Sequence, residues 1–461
     1  MSAHPDAMPK GARQHVIHAL VLLLLFALLY AGTRAVPGLH GPAATIASAG
    51  FLLLAGTLAS ELVEPLGLPH LSGYILAGVL AGPHVLHLVD HETVEELSSV
   101  NSLALALIAL AGGSQLRMAM LREGLKSISL HHVLQLVLVL PVMGAVFYFA
   151  RPLIPFAAAL SVTSAIGVAL LWGAFAMCRS SAATLGILSQ TRATGPLAQH
   201  SLAFVMTSDV LAIVLTAFMI TVARPLVVPG ATMAMKDFEA LGRVLLGSVA
   251  LGTTLGLALA AYLRLVGKQT ILVFVALGFG ATTLLRYLQF NPLLVFMTAG
   301  FVVMNLSTQG EKLIQAVQDA ASVVFVLFFA TAGAHLDLPL LGLMWPVALL
   351  LGGSRALASF GAAKLAGRLA GDAPVLRRWS WAALVSQAGL ALGLGFEVER
   401  AYPSLGRGFG ALVVACVALN ELAGPVLFKL ALDRAGESAA EAERVDPGSQ
   451  RAEALLEQES R

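Results

Sequence analysis

Residues 173–186 read GAFAMCRSSAATLG and interrupt an apolar run that extends from 156 to 190. The run is too long for one straight membrane crossing, which needs about 20 residues. Its centre carries a glycine, an arginine and three hydroxyl side chains, Ser180, Ser181 and Thr184. Irregular backbone is tolerated at membrane depth only where it is buried in protein or lines a cavity. The stretch therefore predicts a broken helix inside a membrane protein.

A second interruption lies near the other end of the chain. Residues 383–396 read ALVSQAGLALGLGF, where Ser386, Gln387 and Gly389 break another hydrophobic run. Paired interruptions at corresponding places in two halves are typical of transporters with inverted repeats, in which unwound backbone forms an ion site near the bilayer midplane. We predict two broken helices that cross each other.

The composition fits this class and excludes others. Hydrophobic residues make up 58% of the chain and charged residues 12%, against about 25% charged residues in soluble domains. The net charge of +2 does not favour nucleic acid as a partner. Cys178 and Cys416 both lie in apolar runs and are expected to be small core residues. The spacing of histidine, cysteine and acidic residues predicts no metal cluster, and no phosphate-binding glycine loop occurs, so we expect no cofactor.

We predict an all-α polytopic membrane protein of about 14 transmembrane helices. The apolar runs place them at 15–36, 43–62, 70–87, 97–116, 128–150, 156–190, 197–222, 241–265, 270–288, 291–306, 316–335, 341–369, 379–398 and 408–431. An even number of spans puts both termini on the same side of the membrane. The loops on that side carry about 15 basic residues and those on the other side about 8, which predicts that both termini are cytoplasmic. The acidic segment 89–99, VDHETVEELSS, is then expected to be an external loop.

These spans predict three regions. Residues 1–14 and the charged tail 432–461 are expected to be cytoplasmic, and 15–431 to form the transmembrane domain in a bacterial plasma membrane. Within it we expect a moving core of 128–222 and 341–431 and a scaffold of 43–116 and 241–335 that forms a homodimer interface.

Two of the ionisable residues inside predicted spans lie on the helices next to the interruptions. Asp209 lies in AFVMTSDVLAIVLTAFMI, residues 203–220, on the helix after the first interruption. Arg355 lies in LLLGGSRALASFGAAKLAG, residues 349–367, on the helix before the second. A charge at the centre of a bilayer costs about 2.5–3.5 kcal/mol on insertion scales and usually marks a functional site. An inverted repeat would bring both helices beside the crossing.

At these residues the chain resembles the monovalent cation:proton antiporter superfamily, and its Kef-like branch in particular. Besides residues 353–356, which match the family's helix with a basic residue, the resemblance rests on four segments and runs in order over residues 43–431. They are LGLPHLSGYILAGVLAGPHVL at 66–86, RSSAATLGILSQTRATGPLAQHSLAFVMTSDVLAI at 179–213, SVVFVLFFATAGAHLDL at 322–338, and SQAG at 386–389. It implies an antiporter that exchanges protons for Na⁺ or K⁺ by alternating access.

The resemblance also implies roles for particular residues. The ion-binding aspartate of the family falls on Asp209, where Na⁺ or K⁺ would bind, and its hydroxyl ligands fall on Ser180, Ser181 and Thr184. The basic residue of the family's core falls on Arg355.

The chain departs from the family pattern at several positions. Ser208 stands where members of the family have an aspartate, an asparagine or a glutamine before the ion-binding aspartate. Because a serine hydroxyl does not titrate in this pH range, the site keeps one titratable carboxyl, which predicts electroneutral exchange. Leu390 replaces a glutamate of the second broken helix, and we expect Glu421 to supply that carboxylate and to hold Arg355. Arg179 is not general to the superfamily and is expected to balance charge. The tail after 431 is too short for the branch's nucleotide-sensing domain.

Other interpretations stay open at the level of sequence. Asp209 could be a permanent ion-pair partner of Arg179 or Arg355, and the three hydroxyls could bond to their own helix backbone. Two arginines near the crossing would also suit a carrier of small organic anions. A pair locked between Arg179 and Asp209 would instead suit a membrane scaffold or sensor that does not transport.

Overall fold

A computed structural model describes residues 20–28, 42–66, 68–231, 235–267, 290–336, 338–387 and 389–438, together with 280, 284, 285, 287 and 288. In this part of the chain the secondary structure is helical throughout, with no strand. The all-α prediction is confirmed.

The main helices are numbered in chain order. They are α1 Pro42–Val63, α2 His70–Ala81, α3 His91–Gln115, α4 Met118–Leu134, α5 Leu140–Ala150, α6 Val162–Phe175, α7 Ser181–Thr191, α8 Pro196–Val227, α9 Met235–Leu265, α10 Pro292–Leu306, α11 Gly310–Ala334, α12 Leu338–Ala370, α13 Pro374–Trp379, α14 Gly389–Ala401 and α15 Gly406–Ala435.

Many of these helices can cross a membrane. Within the described ranges, 6 helices are long and apolar enough to do so, and four shorter apolar helices of 10–17 residues accompany them. The predicted spans 15–36 and 270–288 fall largely outside the described residues, and the count of about 14 stays a prediction. Asn291 caps α10 by accepting a hydrogen bond from the Leu294 amide at 3.1 Å, so α10 begins where the Asn-Pro pair predicted a break.

The helices form two packing groups. In the first, α10 packs on α3 and α9, and α11 packs on α2 and α3. In the second, α6 packs between α5 and α8, and α12 packs on α4 and α15. Small residues let backbones approach in the first group: a Cβ atom at Gly113 would overlap the Met297 carbonyl, and one at Gly300 would overlap that of Leu110. Such close contacts are characteristic of helix pairs in membranes. The predicted division into core and scaffold stays a prediction.

Two boundaries differ from those expected. The segment predicted as an external loop at 89–99 is mostly helical, because Asp90 accepts a hydrogen bond from the Thr93 amide at 2.8 Å and starts α3. The helix expected from 128 begins at Met118 and continues through a π-helical turn, Gln135–Val139, into α5. Pro141 follows that turn and explains it, because proline cannot donate to the preceding helical turn.

A polar contact fixes the direction of α4 against α12. The Ser127 hydroxyl donates to Asp372 at 2.9 Å, and the His131 ring lies 3.2 Å from the same carboxylate oxygen. Deeper in the pair, the Gln135 amide donates to the Ser359 carbonyl at 3.2 Å. The two helices are therefore antiparallel. The start of α4 and the end of α12 lie at the same membrane face.

Candidate functional site

The first interruption is a short non-helical segment between α6 and α7. Residues 176–180 leave the helical conformation, and Ser180 caps α7 by accepting a hydrogen bond from the Ala183 amide at 3.1 Å. Gly173 lies against the Leu140 carbonyl, where a Cβ atom would not fit without a shift. The predicted break is confirmed, and its carbonyl groups need partners from elsewhere in the protein.

Arg355 supplies partners to the carbonyls of both interruptions. The side chain is 2% exposed. It donates to the carbonyls of Ala176 at 2.8 Å and Cys178 at 2.6 Å in the first interruption, and to those of Leu384 at 2.9 Å and Val385 at 2.8 Å next to the second. One guanidinium therefore joins both broken helices, as the inverted repeat predicted for its position.

Arg179 occupies the same crossing but serves the first interruption. It donates to the carbonyls of Ala176 at 2.7 Å and Cys178 at 3.0 Å, and to the side-chain oxygen of Gln135 at 3.0 Å. Among the described residues, it forms no ion pair with Asp209.

Gln135 is a site residue that sequence reasoning missed. It is completely buried, and its side-chain oxygen accepts a hydrogen bond from the guanidinium of Arg179. Gln135 begins the π-helical turn that follows α4. A lone amide in the apolar run HHVLQLVLVLP was the signal for it.

The second interruption lies between the single turn Ser380–Leu384 and α14. Its Gln387 amide donates to the carbonyls of Phe175 and Cys178, both at 3.3 Å, and accepts from Asn420 of α15 at 2.7 Å. Asn420 was also missed, although it stands beside Glu421 in the sequence. These contacts bind the two interruptions to each other and to α15.

Asp209 lies on α8 next to the crossing and has a different environment. The residue is 5% exposed, and its Oδ1 atom is buried without a hydrogen-bond partner in the described part of the chain. With Ser181 it lines a cavity of about 10 Å³, room for about one water-sized particle. The opposite wall includes Leu293 and Met297 of α10. The carboxyl thus faces the boundary between the two packing groups.

Two of the other expected hydroxyl ligands donate their hydrogens to backbone carbonyls. Thr184 donates to the Ser180 carbonyl at 2.9 Å, and Ser208 donates to the Phe204 carbonyl at 2.7 Å. Each hydroxyl oxygen keeps lone pairs that can accept or ligate. Among the four expected hydroxyls, Ser181 is the one that lines the Asp209 cavity.

The expected pair of Glu421 and Arg355 is not formed. All three nitrogens of the Arg355 guanidinium donate to carbonyls, and Glu421 is buried with its Oε1 atom lacking a partner among the described residues. The expectation was wrong because it counted charges and not the carbonyls that a broken helix leaves open. Leu390 of α14 packs against apolar residues.

Comparisons with known proteins agree with this architecture. A family model described as sodium/hydrogen exchanger, transmembrane, matches residues 49–432. The fold is similar to a structure of the sodium proton antiporter MjNhaP1 from Methanocaldococcus jannaschii at pH 8, with a TM-score of 0.64 and 18% identity over 85% of this chain and 99% of that one. A second structure of that antiporter, from an electron microscopy map, gives a TM-score of 0.66 and 18% identity over 86% and 99%. None of the curated proteins compared with the chain matches it.

Proposed function

Because the chain belongs to the sodium/hydrogen exchanger family, we propose that it exchanges protons for Na⁺ or K⁺ and that Asp209 carries either the proton or the cation. The observation that supports this role is the buried carboxyl oxygen without a hydrogen-bond partner in the described chain, facing a cavity between the two packing groups. A purely structural carboxylate would be expected to have partners for both oxygens.

The exchange follows from the cost of an isolated buried charge. A carboxylate without water is stabilised either by binding a proton or by a cation held close to its oxygens. The two therefore compete for Asp209, and release of one accompanies binding of the other. The Ser181 hydroxyl lines the same cavity and is our first candidate for a neutral ligand, with lone pairs of Ser180, Thr184 and Ser208 as further candidates.

Arg355, in this proposal, holds the crossing together while the carboxyl changes its charge. Its donors stay on the carbonyls of both interruptions, so a cation at Asp209 need not compete with the guanidinium for these carbonyls. Arg179 adds a second positive charge that shares two of the carbonyls. We propose that these two charges balance the crossing when the cation is absent.

Alternating access would come from movement of one packing group against the other. The Asp209 cavity lies between α8 of the second group and α10 of the first, so a small rotation would open it to one side or the other. We propose that the second group is the moving core and that the first forms a homodimer interface.

The rival functions have less support from the geometry. A carrier of organic anions would need free guanidinium donors, but most donors of Arg179 and Arg355 end on carbonyls and on Gln135. A locked scaffold would need an ion pair between Arg179 and Asp209, which the described residues do not contain.

The direct test is Asp209→Asn in everted vesicles. We expect this variant to insert normally and to lose proton release driven by Na⁺ or K⁺, because an amide neither titrates nor carries the negative charge. Asp433→Asn is the matched control, since Asp433 lies at the end of α15 and contacts Lys429 at 3.5 Å, away from the cavity. Exchange at the wild-type rate in Asp209→Asn would refute the assignment.

We further propose that exchange is electroneutral. Ser208 does not titrate in the relevant pH range, so one carboxyl in the cavity exchanges one proton for one cation. A net charge moved per cycle would feel about 2.3 kcal/mol per 100 mV. Sodium-driven pH change in proteoliposomes clamped with potassium and valinomycin should therefore be independent of the imposed voltage. A strong voltage dependence would contradict electroneutral exchange and point to Glu421 as a second proton carrier.

The orientation is also a proposal. Arg117, Arg122 and Lys126 at the start of α4 share a membrane face with Lys364 and Arg368 at the end of α12. An excess of basic residues marks the cytoplasmic side. We propose that this face is cytoplasmic and that the membrane is a bacterial plasma membrane, which labelling of single introduced cysteines in intact cells would test.

A further inference from the structure

A basic groove lies at the end of α12, away from the Asp209 cavity. Its volume is about 540 Å³. The walls come from the last turns of α12, from α13 and from the turn that follows, with lining residues Phe360, Lys364, Arg368, Pro374, Arg377, Arg378, Trp379 and Trp381. None of these residues has a part in the proposed exchange.

The four bases give the groove a net positive charge. Their side chains are exposed, and within the described ranges none of the four forms an ion pair. The acid of the adjoining loop, Asp372, is engaged by Ser127 and His131 of α4. Four positive charges around one concave surface produce a strong local attraction for anions.

The aromatic side chains hold the groove in shape. The Trp381 indole donates to the Arg378 carbonyl at 3.0 Å, and its ring meets Phe360 edge to face with centroids 5.6 Å apart. The Arg378 guanidinium lies 5.1 Å from the centre of the Trp379 ring, and Lys364 lies 5.3 Å from that of Phe360. Tryptophan is enriched where a protein meets the headgroup region of a bilayer.

Exposed leucines of α12 stand next to groove residues in the sequence, Leu357 one helical turn before Phe360 and Leu369 directly after Arg368. Leu357 is 74% exposed and Leu369 is 58% exposed on this helix. The apolar span ends at Ala370, so the groove lies where α12 leaves the bilayer. Long basic side chains near such helix ends extend toward the polar interface.

We propose that this groove binds the phosphate of an anionic phospholipid, with the bases on the phosphate and the aromatic rings and leucines against the glycerol and acyl chains. Basic pockets between membrane helices on the cytoplasmic side suit such headgroups. A free phosphate would satisfy the bases alone. The apolar wall beside them favours the lipid, because its chains cover surface that a free ion leaves in contact with water.

The test uses the full-length protein in nanodiscs of phosphatidylcholine with increasing phosphatidylglycerol, and measures retained phosphatidylglycerol by native mass spectrometry. Arg377→Gln/Arg378→Gln removes two bases from the groove. Arg122→Gln/Lys126→Gln is the matched control, because it removes two exposed bases from α4 at the same membrane face. Each lost base should weaken binding about fivefold, so the groove variant should require roughly 30-fold more phosphatidylglycerol, with less than about a threefold change in the control.

Two results would overturn the proposal. An equal loss in both double variants would mean a diffuse attraction to the anionic surface and not a site. Displacement of phosphatidylglycerol from the wild-type protein by millimolar inorganic phosphate would assign the groove to a free anion. If the glutamine variant does not fold, the variant Arg377→Lys/Arg378→Lys and the phosphate competition test the proposal instead. The lysine variant must then retain phosphatidylglycerol, and phosphate must fail to displace it.

Discussion

Replacement of Arg355 by methionine tests how the crossing is stabilised. Methionine has a similar length and no donors, so Arg355→Met removes the hydrogen bonds and keeps most of the packing. The carbonyls of Ala176 and Cys178 would still accept hydrogen bonds from Arg179. Those of Leu384 and Val385 would lose the donor that the described residues provide. The expected damage is therefore at the second interruption.

The magnitude follows from these two carbonyls. A buried acceptor left without a partner costs about 1–3 kcal/mol, so Arg355→Met should destabilise the protein by about 2–6 kcal/mol. Relief of the desolvation of the buried guanidinium opposes this loss and makes the figure an upper estimate. With an unfolding entropy of about 2 cal/mol/K per residue over 461 residues, the Tm should fall by about 2–6 °C.

Arg179→Met is the matched comparison. It also removes a buried guanidinium from the crossing, but Arg355 still donates to both of its carbonyl partners, so only the Gln135 oxygen loses its donor. We expect about 1–3 kcal/mol. Thermal unfolding of both purified variants in one detergent, followed by loss of the monodisperse peak, ranks them. An Arg179→Met variant as unstable as Arg355→Met would refute the carbonyl account.

Three other outcomes follow from packing and burial. Gly424→Ala should lower the Tm and impair exchange, because a Cβ atom there would overlap the backbone of Ser386. The control Gly361→Ala, at an open position of α12, should leave Tm and exchange unchanged or raise stability by about 0.5–1 kcal/mol. Equal Tm values for the two variants would contradict this account. Asp372→Asn should cost about 1–3 kcal/mol, because it weakens the contacts to Ser127 and His131, and an unchanged Tm would show that these contacts do not stabilise the pair of α4 and α12. Glu421→Gln should retain voltage-independent exchange, since in our proposal Asp209 alone carries the proton; loss of exchange would assign a proton to Glu421.

Sequence reasoning located the interruptions well because their cause is local. A glycine, an arginine and hydroxyl residues inside an apolar run cannot be accommodated as an ordinary lipid-facing helix, so GAFAMCRSSAATLG indicates a break wherever it packs. The same holds for the buried carboxylate, since Asp209 stands in a run that offers it no water. The helical nature of 89–99 was missed, although Asp90 and Thr93 have the spacing of a cap.

Sequence by itself thus determined the all-helical fold, the two broken helices and the charged residues near their crossing, because each follows from what a residue type can tolerate in a membrane. The tertiary structure decided which groups meet. Arg355 reaches four carbonyls and not Glu421, Ser181 and not Thr184 lines the Asp209 cavity, and Gln135 and Asn420 complete the polar network. Such pairings depend on helix rotation and crossing geometry across long sequence separations, and a local pattern of residues does not encode the direction in which a side chain points at the crossing.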